Sequence, residues 1–185
     1  WDASADMYDH ALKLWEGLSQ ELNYNVMFSQ RGVMNLAHNL HDVRELKRRT
    51  HANRLNGIDC EWLSTEEVKK FCSIINCSPD IRYPVLGSTL QRRAGTARHD
   101  AVAWGYARGA DSMGVDIIQN CEVKGIKRKG DSVEGIETTK GFIKTSKIGI
   151  VAAGHSSVLA NMAGIKLPLE SKPLQALVSE PIKPI

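Results

Sequence analysis

"VDIIQNCEVKGIKRKGDSVEGIETTKGFIKTSKIGIVAAGHSSVLANMAG" (Val115–Gly164) is the stretch that decides the fold. Apolar and polar residues alternate along it with a period of two, the mark of half-buried strands. Lys129-Gly130-Asp131 and Lys140-Gly141 interrupt the alternation and read as turns. The expectation is a strand near Val115–Cys121, a small antiparallel meander, and an apolar strand "IGIVAAG" over Ile148–Gly154. "HSSVLANMAG" then starts a helix, with Ser156 or Ser157 as its cap. A strand running into a glycine and a helix start is where α/β folds turn backbone N–H groups toward a ligand.

Upstream the period is helical. In "DASADMYDHALKLWEGLSQELN" the apolar residues Met7, Ala11, Leu14, Leu18 and Leu22 predict a buried stripe, with Ser4 or Asp6 as cap. "YNVMFSQRGVMNLAH" predicts two short strands, or one strand with a bulge, around Gly32. "HDVRELKRRTHANRLNG" reads as a second helix closed by Asn56-Gly57. Ser64 and Glu67 have capping-box spacing ahead of a short third helix. "NCSPDIRYPVLGSTLQRRAGT", with Pro79, Pro84, Gly87 and Gly95, reads mostly as loop. A fourth helix spans about Ala101–Met113, with Asp100 as N-cap, Gly114 as stop, and Val102, Tyr106, Ala110 and Met113 as its buried stripe. In the proline-rich tail, "LQALVSE" resembles a strand of another sheet. The order of elements is a mixed α/β (α+β) chain.

Composition narrows the classes. In 185 residues, 42% hydrophobic content beside 24% charged residues is that of a globular chain. A net charge of +3 does not by itself imply nucleic acid, and no apolar run approaches the roughly 20 residues of a membrane span. Cys60, Cys72, Cys77 and Cys121 form no C-x-x-C pair, so free thiols are expected rather than a zinc site. The chain begins at Trp1 and carries neither G-x-G-x-x-G nor a P-loop, and it reads as part of a longer protein.

Few residues look chemical. His10, His41 and His51 fall on helix surfaces, and His38 ends a strand in a structural position. Ser156 and Ser157 lack the G-x-S-x-G context of a nucleophile, and Glu66, Glu67, Glu134 and Glu137 read as solvated carboxylates. The basic run Arg44, Lys47, Arg48, Arg49 and Arg54 reads first as a solvated helix face, since no aromatic residues interleave with it for base stacking. His99 stands between Arg98 and Asp100 at a helix start, a place suited to an anion, although an exposed histidine ahead of a cap is the better explanation of the local pattern.

The succession Gly114, Val123–Ile126, Ile136–Gly141 and Ala152–Gly154 resembles the flavin-dependent amine oxidases of the D-amino-acid oxidase group. "NYNVMFSQRGVMNLAHN", "GTARHDAVAWGYARGAD", "VAAGHSSVLANMAG" and "PLQALVSEP" resemble more closely the beta subunits of heterotetrameric sarcosine oxidases, a likeness that extends over essentially the whole chain. It implies a partial FAD-binding, Rossmann-like domain of the D-amino-acid oxidase/glutathione-reductase type, joined to part of a substrate domain with an antiparallel sheet. The implied division is 1–98 for the substrate-domain or helical portion, 99–164 for the FAD-binding portion, and 165–185 for a return to the substrate domain.

The resemblance also implies cofactors and roles. FAD would be noncovalent, with Val123 near the adenine and Ala152, Ala153 and Gly154 passing close by. FMN would be covalent on His99, through a neutral imidazole nitrogen. Arg98 would disfavour protonation of His99 and contact the FMN phosphate or flavin. His155 is open between cofactor contact and packing, and no catalytic residue is placed within this chain. The implied reaction is oxidative demethylation of sarcosine to glycine, the one-carbon unit passing to formaldehyde or tetrahydrofolate and O₂ to H₂O₂. A related N-methyl amine or dimethylglycine dehydrogenase is the alternative substrate class. Implied partners are the other subunits of a cytoplasmic hetero-oligomer, with neither nucleic acid nor membrane. Alone, this chain is expected to bind flavin weakly and not to turn over sarcosine. A different reading is a non-catalytic interaction domain of the same fold, using the basic helix at Arg44–Arg54 as its contact surface.

Overall fold

The computed structural model describes residues 2–176 and Glu180. The chain divides into two compact units between Asp116 and Ile117.

The first unit contains α1 (Asp2–Glu21), β1 (Val33–Ala37), α2 (Leu40–Leu55), β2 (Glu61–Leu63), α3 (Thr65–Phe71), β3 (Gly87–Gln91) and α4 (His99–Ser112). Its strands form an antiparallel sheet in the order β1-β3-β2, with Val33 opposite Gln91 and Glu61 opposite Leu90. The central strand β3 falls where the proline- and glycine-rich sequence predicts a loop. Its residues "GSTLQ" carry little β-propensity, and tertiary pairing on both edges supplies what propensity does not. Gly87 opens it at φ +144, and a Cβ there would lie 2.8 Å from the Leu63 carbonyl oxygen and 2.9 Å from Trp62 Cε2. Ser88 and Thr89 are buried and satisfied: the Ser88 hydroxyl donates to the Thr89 carbonyl at 2.7 Å, and Asn35 Nδ2 donates to Thr89 Oγ1 at 3.2 Å. Leu90 from this strand joins Leu63, Val68 and Val85 in the core.

The helices follow their caps. Asn39 Oδ1 accepts from the Asp42 N–H at 2.9 Å, and Gly57 ends α2 at φ +74. Both bonds of the Ser64–Glu67 capping box are present at the start of α3. In α1 the inward stripe differs from the predicted one. Leu18 is buried and Leu12, Trp15 and Leu22 are half-buried, whereas Met7 and Leu14 face outward. Trp15 turns α1 toward Phe28, with ring centroids 5.8 Å apart, and α1 runs from Asp2 without a start at Ser4 or Asp6. "YNVMFSQRGVMNLAH" forms the single strand β1, preceded by an isolated bridge at Ser29.

The second unit contains β4 (Val123–Lys129), β5 (Ser132–Thr138) and β6 (Gly141–Lys144), the expected antiparallel meander in the order β4-β5-β6. A 3₁₀ turn at Ala153–His155 leads into α5 (Ser156–Met162), whose C-terminal Ala163 carbonyl accepts from Arg128 Nη1 of β4 at 2.6 Å. Three expectations fail here. Val115–Cys121 and Ile148–Gly154 are not strands: neither has a ladder partner among the described residues, and Ile117, Ile118 and Val151 are exposed. Neither Ser156 nor Ser157 caps α5, because His155 occupies the N-cap and makes no side-chain capping bond. Of the segment "LQALVSE", residues 177–179 lie outside the described residues, and Leu174, Gln175, Ala176 and Glu180 belong to no strand.

No helix among the described residues is long and apolar enough to cross a membrane. All four cysteines are free thiols, and Cys60 is buried.

Candidate functional site

The segment carrying Arg98 and His99 is held from behind by an unusually close backbone crossing. The Ser29 N–H donates to the Thr96 carbonyl at 2.8 Å, and the Thr96 N–H donates back to the Ser29 carbonyl at 3.0 Å. The Gly32 N–H donates to the Ala94 carbonyl at 2.9 Å. Between these bonds sits Gly95. A Cβ there would overlap the Ser29 carbonyl oxygen and lie 2.7 Å from its carbon and 2.8 Å from Gln30 Cα. Those atoms are backbone, so no rotamer change relieves them.

A polar clasp reinforces the crossing from α1. Glu16 Oε1 accepts from Arg93 Nη2 at 2.8 Å and from Gln30 Nε2 at 2.8 Å, while Gln30 Nε2 also reaches the Arg93 carbonyl at 2.6 Å. The Arg93 guanidinium, and after it Gln30, hold the Glu16 carboxyl below its ordinary range.

Beyond the crossing, α4 starts at His99 with Arg98 as N-cap. Asp100 is therefore not the cap. It lies inside the first turn, where its Oδ1 accepts from the Ala101 N–H at 2.8 Å and from Arg98 Nε at 2.9 Å. The Ala101 N–H first, then the Arg98 guanidinium, hold the Asp100 carboxyl below its usual value. Arg98 is thus a cation paired with Asp100 beside His99. His99 itself is exposed at the first turn, on an anchored segment.

The packing of α4 corrects its predicted stripe. Gly105 is buried, and its face meets the chain that follows α1: a Cβ there would stand 3.2 Å from Leu22 Cδ1 and Tyr24 Cδ1, and 3.3 Å from Val26 Cγ1. Arg108 closes the same contact by lying over the Tyr24 ring at 5.6 Å. Gly105 and Gly109 let the helix approach closely, and this rotates Tyr106 and Met113 outward; they are 54% and 80% exposed. At 3.6 residues per turn, His99, Ala103, Tyr106 and Met113 share one open face. Sequence periodicity placed Tyr106 and Met113 inside because it counted side chains, whereas the contact is made where side chains are missing.

In the second unit Val123 is half-buried at the first position of β4, opposite Thr138. Ala152, Ala153 and Gly154 come together in one turn. Ala153 takes φ +46, a conformation rare for a residue with a Cβ. The Gly154 carbonyl accepts from Ser171 Oγ at 2.5 Å. Ala153, Gly154 and His155 are exposed, so the turn presents backbone with little side-chain bulk, as close approach of a cofactor requires. The positioning residues Ser29, Gly95 and Thr96 were not legible as such. Gly95 is the sole signal, and in sequence it reads as an ordinary loop glycine.

The remaining candidates have structural roles. His38 Nδ1 lies 3.2 Å from both the Tyr83 and Pro84 carbonyls. Glu67 serves the capping box, and Glu134 pairs with Lys127 at 3.5 Å. Among the described residues no cluster of three His, Cys, Asp or Glu side chains is placed to hold a metal ion.

The chain matches the family described as FAD dependent oxidoreductase (DAO) over residues 1–185. It is 59% identical over 185 residues to the sarcosine oxidase subunit beta of Arthrobacter sp, covering 100% of this chain and 46% of that protein. It is 55% identical over 183 residues to the subunit of the same name from Rhodobacter capsulatus, covering 99% of this chain and 44% of that one. The chain thus spans less than half the length of these relatives. Among solved structures, L-proline dehydrogenase from P. horikoshii superposes with a TM-score of 0.75 at 25% identity, over 85% of this chain and 40% of the other. Glycine oxidase from Geobacillus kaustophilus shares the fold, with a TM-score of 0.73 at 20% identity, over 85% and 42%.

Proposed function

The chain belongs to the FAD-dependent oxidoreductase family, and from that premise we propose that it is part of a flavoenzyme subunit that oxidises sarcosine as a component of a hetero-oligomer. The identity of 59% along the whole chain to a sarcosine oxidase subunit beta carries this reading. The products proposed are glycine, a one-carbon unit passed to formaldehyde or tetrahydrofolate, and H₂O₂, in a cytoplasmic enzyme whose partners are its other subunits. Related N-methyl amines are the neighbouring substrate class.

Two sites on this chain suit flavin. For FAD, the open turn Ala152–Gly154 offers backbone without bulk, and Val123 stands at the start of β4. For FMN, His99 is the proposed point of covalent attachment. Its ring is solvent-accessible, it engages no hydrogen-bond partner among the described residues, and its backbone is fixed by the Ser29–Thr96 crossing. When bound, the flavins supply the two-electron acceptor chemistry that amine oxidation needs. The chain's own part is to hold and orient. Asp100 keeps Arg98 beside His99, so a phosphate or flavin oxygen approaching that guanidinium would compete with the 2.9 Å pair. Tyr106 and Ala103 extend an open surface below His99 that a planar ring or a partner subunit can cover.

The test uses the complete protein coexpressed with its partner subunits. After denaturation, flavin absorbance is expected to stay with the polypeptide in the wild type and to be lost in His99→Ala. Wild-type protein that releases all its flavin on denaturation would refute the assignment to His99.

A further inference from the structure

The cleft between α2 and β2 is a candidate binding site separate from the flavin positions. It has a volume of about 380 Å³ and is lined by Lys47, Thr50, His51, Arg54, Glu61 and Trp62. Lys47, His51 and Arg54 follow one another at i, i+4 and i+7, so α2 turns all three toward the same side. Behind them Thr50 is buried, its hydroxyl donating to the Leu46 carbonyl at 2.9 Å, which leaves the helix surface smooth there. Half-buried Trp62 forms an aromatic wall, with Lys47 Nζ 5.1 Å from its ring centroid.

The charge balance of the cleft is one-sided. Its single carboxylate, Glu61, is engaged by Arg92 Nε at 2.5 Å. Lys47 and Arg54 have no carboxylate within ion-pair distance among the described residues, whereas the neighbouring Arg48 is paired with Glu45 at 2.6 Å. Two unpaired cations and an imidazole therefore converge on a concave surface whose negative group is already neutralised. An anion entering it gains charge-assisted hydrogen bonds without displacing a carboxylate from Lys47 or Arg54. The volume lies at the lower end of the range for small-molecule sites.

We propose that this cleft binds a small, multiply charged anion, a phosphate ester or a polycarboxylate, between Lys47, His51 and Arg54 with Trp62 as its wall. A single-stranded nucleic acid fits less well, because one aromatic side chain gives no track of stacking platforms. The proposal does not depend on the flavin reading.

The test is titration of the complete, flavin-loaded protein with pyrophosphate and, separately, with citrate, followed by calorimetry and Trp fluorescence. Saturable one-to-one binding is expected. It should weaken at least about tenfold in the double variant Lys47→Gln/Arg54→Gln, as loss of two charge-assisted bonds implies. The ligand-induced fluorescence change should vanish in Trp62→Phe while binding persists. The arm that binds more tightly identifies the source, phosphate or carboxylate. Unaltered affinity in the double variant, no saturation up to ~10 mM of either probe (weaker than about −3 kcal/mol), or tighter binding of a 12-nucleotide single strand that ignores competing pyrophosphate would each overturn the proposal.

Discussion

Replacing Gly95 by alanine tests whether the backbone crossing places His99. The new Cβ would sit 2.7 Å from the Ser29 carbonyl carbon and 2.8 Å from Gln30 Cα, against the 3.4 Å at which ordinary contact begins. The two segments must therefore part by about 0.7 Å at least, judged from the 2.7 Å approach. The Ser29–Thr96 bonds at 2.8 and 3.0 Å cannot both survive that opening with good geometry. Overpacking of about 1–3 kcal/mol adds to the loss of one or two hydrogen bonds of about 1 kcal/mol each. Together these destabilise by roughly 2–5 kcal/mol. At about 2–4 °C per kcal/mol for a chain of this size, Tm should fall by roughly 4–20 °C. Gly149→Ala, where a Cβ meets nothing within 4 Å and φ is not positive, is the control and should be nearly silent. Differential scanning calorimetry reads the stability. Covalent flavin retained after denaturation reads the placement of His99 and should drop in Gly95→Ala even in the folded fraction. A Tm within a degree of wild type together with full covalent flavin would refute the reasoning.

Further expectations concern the packing and the clasp. Gly109→Ala should be neutral or stabilising by a few tenths of a kcal/mol on unfolding, because its Cβ meets only the flexible end of Leu22 at 3.2 Å. Gly105→Ala should destabilise instead, since three side chains crowd that position at once. Leu90→Ala, at a fully buried position of β3, should cost about 2–5 kcal/mol in urea unfolding. Ser64→Ala removes the reciprocal cap of α3 and should cost about 1 kcal/mol in the same assay. Because the folded-state pKa of Glu16 is depressed, its clasp contributes stability above the unfolded value of 4.5 and loses it as pH falls below that value through the folded pKa. Chemical unfolding followed from pH 7 to pH 3 should show this loss, and Glu16→Gln should flatten that part of the profile.

Local chemistry legible in the chain itself determined much of this protein. The meander follows from alternation punctuated by Lys129-Gly130-Asp131 and Lys140-Gly141, since period-two burial and turn glycines need no distant information. The ends of α2 and α3 follow from Asn56-Gly57 and Ser64–Glu67 for the same reason. The whole-chain likeness that singles out His99 is also a property of sequence. Tertiary structure decided the rest. β3 is a strand because β1 and β2 flank it, and no propensity in "GSTLQ" announces that. Val115–Cys121 and Ile148–Gly154 have strand-like composition, but a ladder requires neighbours, and composition does not reveal whether they are present. The face that α4 buries is set by Gly105 against Leu22, Tyr24 and Val26, a contact defined by absent side chains and therefore silent in a hydrophobic pattern. Gly95 is the same case. Its importance comes from Ser29, distant in sequence and adjacent in space, and only the folded chain brings the two together.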